Sequence, residues 1–131
     1  MSSILIKNGL VIQPRGQSHT NILIRDECIQ EIGDNLSAPT NAEVIDAEGK
    51  WIFPGVIDPH THMGIPIKTG RSADNFASGS RSALHGGVTT ILDFTVLEPG
   101  QSLLASLESR RNLAELSVCD FELHINISRF D

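Results

Sequence analysis

From Pro54 onward the sequence alternates between two rhythms, and that alternation leaves few ways to fold. Gly55–Asp58 is an apolar run of strand length, Val88–Phe94 is a second, and Asp120–Ile127 is a third. Between them lie two stretches of helical character. The first is a helix capped by Ser72 and running through Leu84, with Phe76, Ser80, Ala83 and Leu84 at near-helical spacing and Gly86-Gly87 as its stop. The second spans about Ser102–Leu116, with Leu103, Leu104 and Leu107 facing inward and Arg110-Arg111 facing solvent. The order βαβαβ predicts a parallel sheet with crossover helices. Val88–Phe94 is too continuously apolar to have one wet face, as a parallel strand should be.

The first 53 residues read differently. Short β-rich runs recur at Ile4–Ile6, Leu10–Ile12, Asn21–Arg25, Cys28–Ile32, Val44–Asp46 and Trp51–Phe53. Turn formers separate them: Asn8-Gly9 as a tight turn, Pro14 with Gly16, and Glu48-Gly49. This predicts a small sandwich or curled sheet, with residues 1–53 and 54–131 as separate pieces. About 50 residues of this kind bury little surface alone and should lean on other structure.

Composition excludes several classes. The net charge of −6 is spread along the 131-residue chain with no basic stripe, which argues against nucleic acid as a partner. No apolar run approaches the length of a membrane span, and the N-terminus lacks the pattern of a signal peptide. Two distant cysteines, Cys28 and Cys119, do not form a disulfide framework. They read as small buried thiols in a reducing, cytoplasmic setting.

Chemistry concentrates in Pro54-Gly55-Val56-Ile57-Asp58-Pro59-His60-Thr61-His62. In a strand, residues two apart point the same way, so His60 and His62 project side by side on the face expected to carry Asp58. Two imidazoles on one rigid strand can grip a divalent metal at about 2.0–2.1 Å each. They fall at the strand's C-terminal end, where parallel α/β folds place their sites. Asp58 is expected to support the ligands from behind, and Asp93, at the end of the second strand, to orient a ligand or hold a loop. His124 is expected to be a hydrogen-bonded core histidine.

The string PGVIDPHTHMG resembles the first metal-binding strand of the amidohydrolase superfamily. SADNFASGSRSALHGGVTTILDF, LEPGQSLLASLESRR and CDFELHINIS, matching in order, are similar to its hydantoinase/dihydropyrimidinase branch in particular. Dihydroorotases and allantoinases share the paired histidines and the Gly-Gly-Val-Thr-Thr run. Some relatives have lost metal ligands and act as non-catalytic assembly proteins.

The resemblance implies an α/β fold: the N-terminal part of a small β-sandwich, then the first βαβαβ of a TIM-like (β/α)8 barrel. It implies a metal-dependent hydrolase that opens cyclic amide rings of the hydantoin or dihydropyrimidine type, through attack of a metal-bound hydroxide on the carbonyl. Two zinc ions per complete site are implied, with His60 and His62 as ligands. The others are a carboxylated lysine, two further histidines and an aspartate from later strands. Lys7, Lys50 and Lys68 do not match that lysine. Met63, Ile65 and Ile67 would shape the pocket for the substituent of a small cyclic amide. A closed barrel takes roughly 250 residues, so half a site on a truncated chain without activity of its own is the expectation, with a partner chain completing the site as the alternative; the resemblance implies a homo-oligomeric complete protein.

Overall fold

The computed structural model describes residues 2–128. They divide into two compact units, with the boundary between Pro54 and Gly55.

The first unit is a five-stranded sheet. Its strands are β1 (Ser3–Gln13), β2 (Gly16–Arg25), β3 (Cys28–Gly33), β4 (Glu43–Asp46) and β5 (Trp51–Ile52). β1 is central: it pairs antiparallel with β2, parallel with β4 over Ile4–Lys7, and parallel with β5 over Leu10–Val11. Leu5, Val11, Ile22, Leu23 and Ala47 are buried.

Asn8-Gly9 is not the hairpin turn that its composition predicts. β1 runs straight through it, and the register against β2 slips between Ile6 and Gly9. Two residues, Lys7 and Asn8, therefore oppose the single Asn21, which makes a β-bulge. Asn8 adopts φ 63°, and its backbone N–H donates to Asn21 Oδ1 at 3.1 Å. The left-handed conformation that suits a hairpin loop serves a bulge equally well. Cys28, expected inside, is exposed, whereas Cys119 of the second unit is half-buried; neither is bridged.

The second unit contains β6 (Val56–Thr61), a short hairpin of β7 (Pro66–Ile67) and β8 (Gly70–Arg71), α1 (Phe76–His85), β9 (Val88–Phe94), α2 (Leu103–Ala114) and β10 (Asp120–His124). β6 and β10 flank β9, both parallel to it, which gives the expected βαβαβ sheet. Phe76 of α1, Ile91 of β9 and Ala114 of α2 form one buried cluster, so both helices cover the same face.

Helix boundaries differ in instructive ways. Asn75, not Ser72, caps α1, in a reciprocal capping box with Ser78. Ser72 instead ties down the preceding loop: its Oγ accepts from Ile65 N–H at 3.1 Å and donates to the His62 carbonyl at 3.0 Å. α1 ends at Gly86, and Gly87 takes up φ 85°.

α2 meets the expected inward face only in part: Leu107 is half-buried, but Leu103 and Leu104 are exposed. Ser106, Arg110 and Ala114 are its buried residues, whereas Leu104 is 65% exposed. Arg110 was expected in solvent and is 5% exposed; only Arg111 is outward. The carboxylate of Asp93 on β9, itself fully buried, draws it in. No helix among the described residues is long and apolar enough to cross a membrane.

Candidate functional site

β6 is irregular where the chemistry lies. Its register against β9 shifts between Asp58 and Thr61, so Pro59 and His60 stand opposite the single Leu92. Pro59 lacks the N–H that an uninterrupted ladder requires, which suits it to a bulge. The irregularity breaks strict alternation between Asp58 and His60. The Asp58 carboxylate accepts the backbone N–H of His60 at 3.2 Å rather than an imidazole N–H.

Beyond the bulge the two imidazoles meet. His60 Nε2 and His62 Nε2 are 3.1 Å apart, with the rings edge to face at 86°. Phe94 packs beside both, its ring 4.5 Å from His60 and 5.3 Å from His62. His124 approaches the same ring at 4.8 Å. It was expected in the core; it lies exposed on the sheet face opposite the helices, because β10 turns Phe121 and Leu123 toward the core instead. A hollow of about 420 Å³ opens over His60 and His62, with Ile65, Phe94, Thr95 and Asn126 among its walls.

The other loop residues part company. Ile65 lines the hollow, whereas Met63 is half-buried against the Phe76–Ile91–Ala114 cluster, close to Gly79. A Cβ on Gly79 would overlap the Met63 sulfur, so glycine there makes room for it. Ile67 is 49% exposed on β7 and outside the hollow's walls.

Asp93 lies beneath the site. Its Oδ2 accepts from Thr61 Oγ1 at 3.0 Å and from Met63 N–H at 2.8 Å. Its Oδ1 accepts the Phe94 N–H at 2.7 Å, Arg110 Nε at 3.0 Å and Arg110 Nη2. Arg110 Nη2 also donates to the Met63 carbonyl at 2.7 Å, and the guanidinium lies 4.6 Å over the Phe76 ring. The Arg110 link to Asp93 is the feature near the site that sequence reasoning missed. A carboxylate in so apolar a strand was the available signal, since a buried charge needs a partner.

The donor set fits a metal only in part. Nitrogens bound tetrahedrally to one ion at about 2.0–2.1 Å stand roughly 3.3–3.4 Å apart, close to the observed 3.1 Å. Among the described residues no group of three or more His, Cys, Asp or Glu converges. The site is thus a pair of adjacent imidazoles at the C-terminal end of β6 in a parallel α/β unit.

No family model matches the sequence. Individual proteins do. The chain is 42% identical over 125 residues to the D-hydantoinase of Geobacillus stearothermophilus, covering 95% of this chain and 26% of that protein. It is 35% identical over 130 residues to the dihydropyrimidinase of Rattus norvegicus, covering 95% and 25%. A solved D-hydantoinase structure superposes with a TM-score of 0.93 at 39% identity, over 98% of this chain and 28% of that one. The chain is similar to hydantoinases and dihydropyrimidinases and matches the N-terminal part of their solved structures. It spans about a quarter of the length of the curated relatives it matches.

Proposed function

We propose that the chain is the N-terminal portion of a metal-dependent cyclic amidohydrolase. Unit 1 would contribute part of a β-sandwich and unit 2 the first three strands of a (β/α)8 barrel. The observation that carries this reading is the pair of imidazole nitrogens 3.1 Å apart at the C-terminal end of β6. His60 and His62 hold a divalent metal, zinc by the resemblance, as one half of a two-metal site. Segments of the kind that extend the relatives beyond this chain's length supply the remaining ligands.

A divalent metal held by His60 and His62 would supply Lewis acidity toward an amide carbonyl and would lower the pKa of water. This chain's own residues orient the site. Asp58 restrains the His60 backbone, Phe94 packs against both imidazoles, and Asp93 holds the chain on either side of His62. The hollow of about 420 Å³ suits a small ring, with Ile65 as an apolar wall. The substrate class is a hydantoin or a dihydropyrimidine, and the setting is a homo-oligomer in the reducing cytoplasm. The 131 residues alone, with two ligands, are inactive.

The test is ring opening by the protein purified from its source, with hydantoin, dihydrouracil, dihydroorotate and allantoin as substrates. Formation of the N-carbamoyl acid from hydantoin or dihydrouracil, abolished by a chelator and restored by zinc, is the expected result. Turnover confined to dihydroorotate or allantoin would move the protein to a neighbouring branch. No turnover of any of them would favour a non-catalytic role.

A further inference from the structure

The buried Asp93–Arg110 pair is poorly explained as a stabiliser. Burying two charges costs solvation that a well-packed apolar pair of similar volume avoids. Its hydrogen bonds point to a different use. Both groups that donate to Asp93 Oδ2, the Thr61 hydroxyl and the Met63 N–H, belong to the immediate neighbours of His62, one on each side. Arg110 holds Asp93 through Oδ1 and reaches past it to the Met63 carbonyl. Ser72 Oγ holds the carbonyl of His62 itself. The Thr61–Met63 stretch is thus held at four points, by Asp93 and Arg110 at Thr61 and Met63 and by Ser72 at the His62 carbonyl, and the His62 imidazole rests against His60.

We propose that Asp93, backed by Arg110, is the positioning residue that sets His62 against His60. It touches neither imidazole and acts through the chain that flanks His62. This inference rests on the metal reading above and assigns the clamp that makes the two-histidine grip. Supporting groups behind metal ligands change affinity by roughly 10- to 100-fold when removed. A clamp acting through the backbone belongs at the lower end of that range.

Zinc titration of the 131-residue chain, followed by the imidazole NMR resonances of His60 and His62, tests it. In the unaltered chain both residues shift together. Thr61→Val keeps the side-chain shape and removes the hydroxyl; it should weaken zinc roughly 10-fold. Thr61→Ser, which keeps the hydroxyl, should restore affinity to within about twofold of the starting value. Asp93→Asn, which presents an amide N–H where a donor now points, repeats the measurement should Thr61→Val fail to fold. Ser80→Ala is the comparison for stability alone. Ser80 is fully buried and accepts the Val118 N–H at 3.0 Å, away from the clamp, so zinc affinity should not change. Equal affinity in Thr61→Val and the unaltered chain, or equal weakening by Ser80→Ala, overturns the clamp and leaves the metal reading standing. No zinc-dependent shift of either histidine in the unaltered chain overturns both.

Discussion

Replacing Arg110 with alanine should be among the costliest single changes in the second unit. The guanidinium makes two hydrogen bonds to Asp93 and one to the Met63 carbonyl, and it stacks 4.6 Å over Phe76. Its loss leaves a fully buried carboxylate with only the Thr61, Met63 and Phe94 donors. Removing one partner of a buried ion pair costs about 3–5 kcal/mol. The three remaining donors pull the value toward the lower end, and the lost contact with Phe76 adds about 0.5–2 kcal/mol. A net loss of about 4 kcal/mol, at a urea dependence of about 2 kcal/mol per molar, lowers the midpoint by about 2 M. Helical ellipticity is the right probe, because α1 and α2 both lie in the second unit, whereas Trp51, the only tryptophan, reports on the first. Asp93→Asn with Arg110→Met, which removes both charges, should cost less than Arg110→Ala alone. A loss below about 1 kcal/mol for Arg110→Ala, typical of an exposed ion pair, would refute the reasoning.

Gly79→Ala should lower the melting temperature even though alanine is the better helix former by about 1 kcal/mol. The new Cβ would meet the Met63 sulfur, and overpacking of this kind costs about 1–3 kcal/mol; an unchanged or raised melting temperature would show that Met63 has room to move. In the first unit, the Asn8 amide, the Glu48 N–H, Lys7 and Lys50 hold the Asp46 carboxyl below its ordinary 3.8. Its folded pKa is thus below its unfolded one, so the stability it contributes is complete above that ordinary value and is lost as pH falls through the folded value. Asn8→Gly keeps the positive φ and removes the amide donor; carboxyl NMR should show Asp46 titrating closer to 3.8, and no movement would mean that the Asn8 bond carries none of the shift.

Much of the second unit was readable because period and punctuation agreed. Val88–Phe94 is apolar enough to be a parallel strand, Gly86-Gly87 stops α1, and the spacing of His60 and His62 puts the two rings together. The misreadings share a cause: local signals that serve two structures. Asn8-Gly9 suits a hairpin and a bulge alike, and only the pairing of β1 with β2 decides. Ser72 and Asn75 are both good caps, and the Ile65 and His62 groups that occupy Ser72 lie outside the helix. Arg110-Arg111 beside three leucines reads as a wet helix face. A single long-range partner, 17 residues back at Asp93, turns Arg110 inward and leaves Leu104 in solvent. At the site, strict alternation anticipates neither the register slip at Pro59-His60 nor the bond from the His60 N–H to the Asp58 carboxylate.

X-ray absorption at the zinc edge of the metal-loaded chain addresses the paired-histidine grip most directly. The expected spectrum has two imidazole nitrogens at about 2.0–2.1 Å, and binding is lost in both His60→Ala and His62→Ala. Zinc retained at unchanged stoichiometry in a chain carrying both substitutions would contradict the account, because the metal would then be held elsewhere.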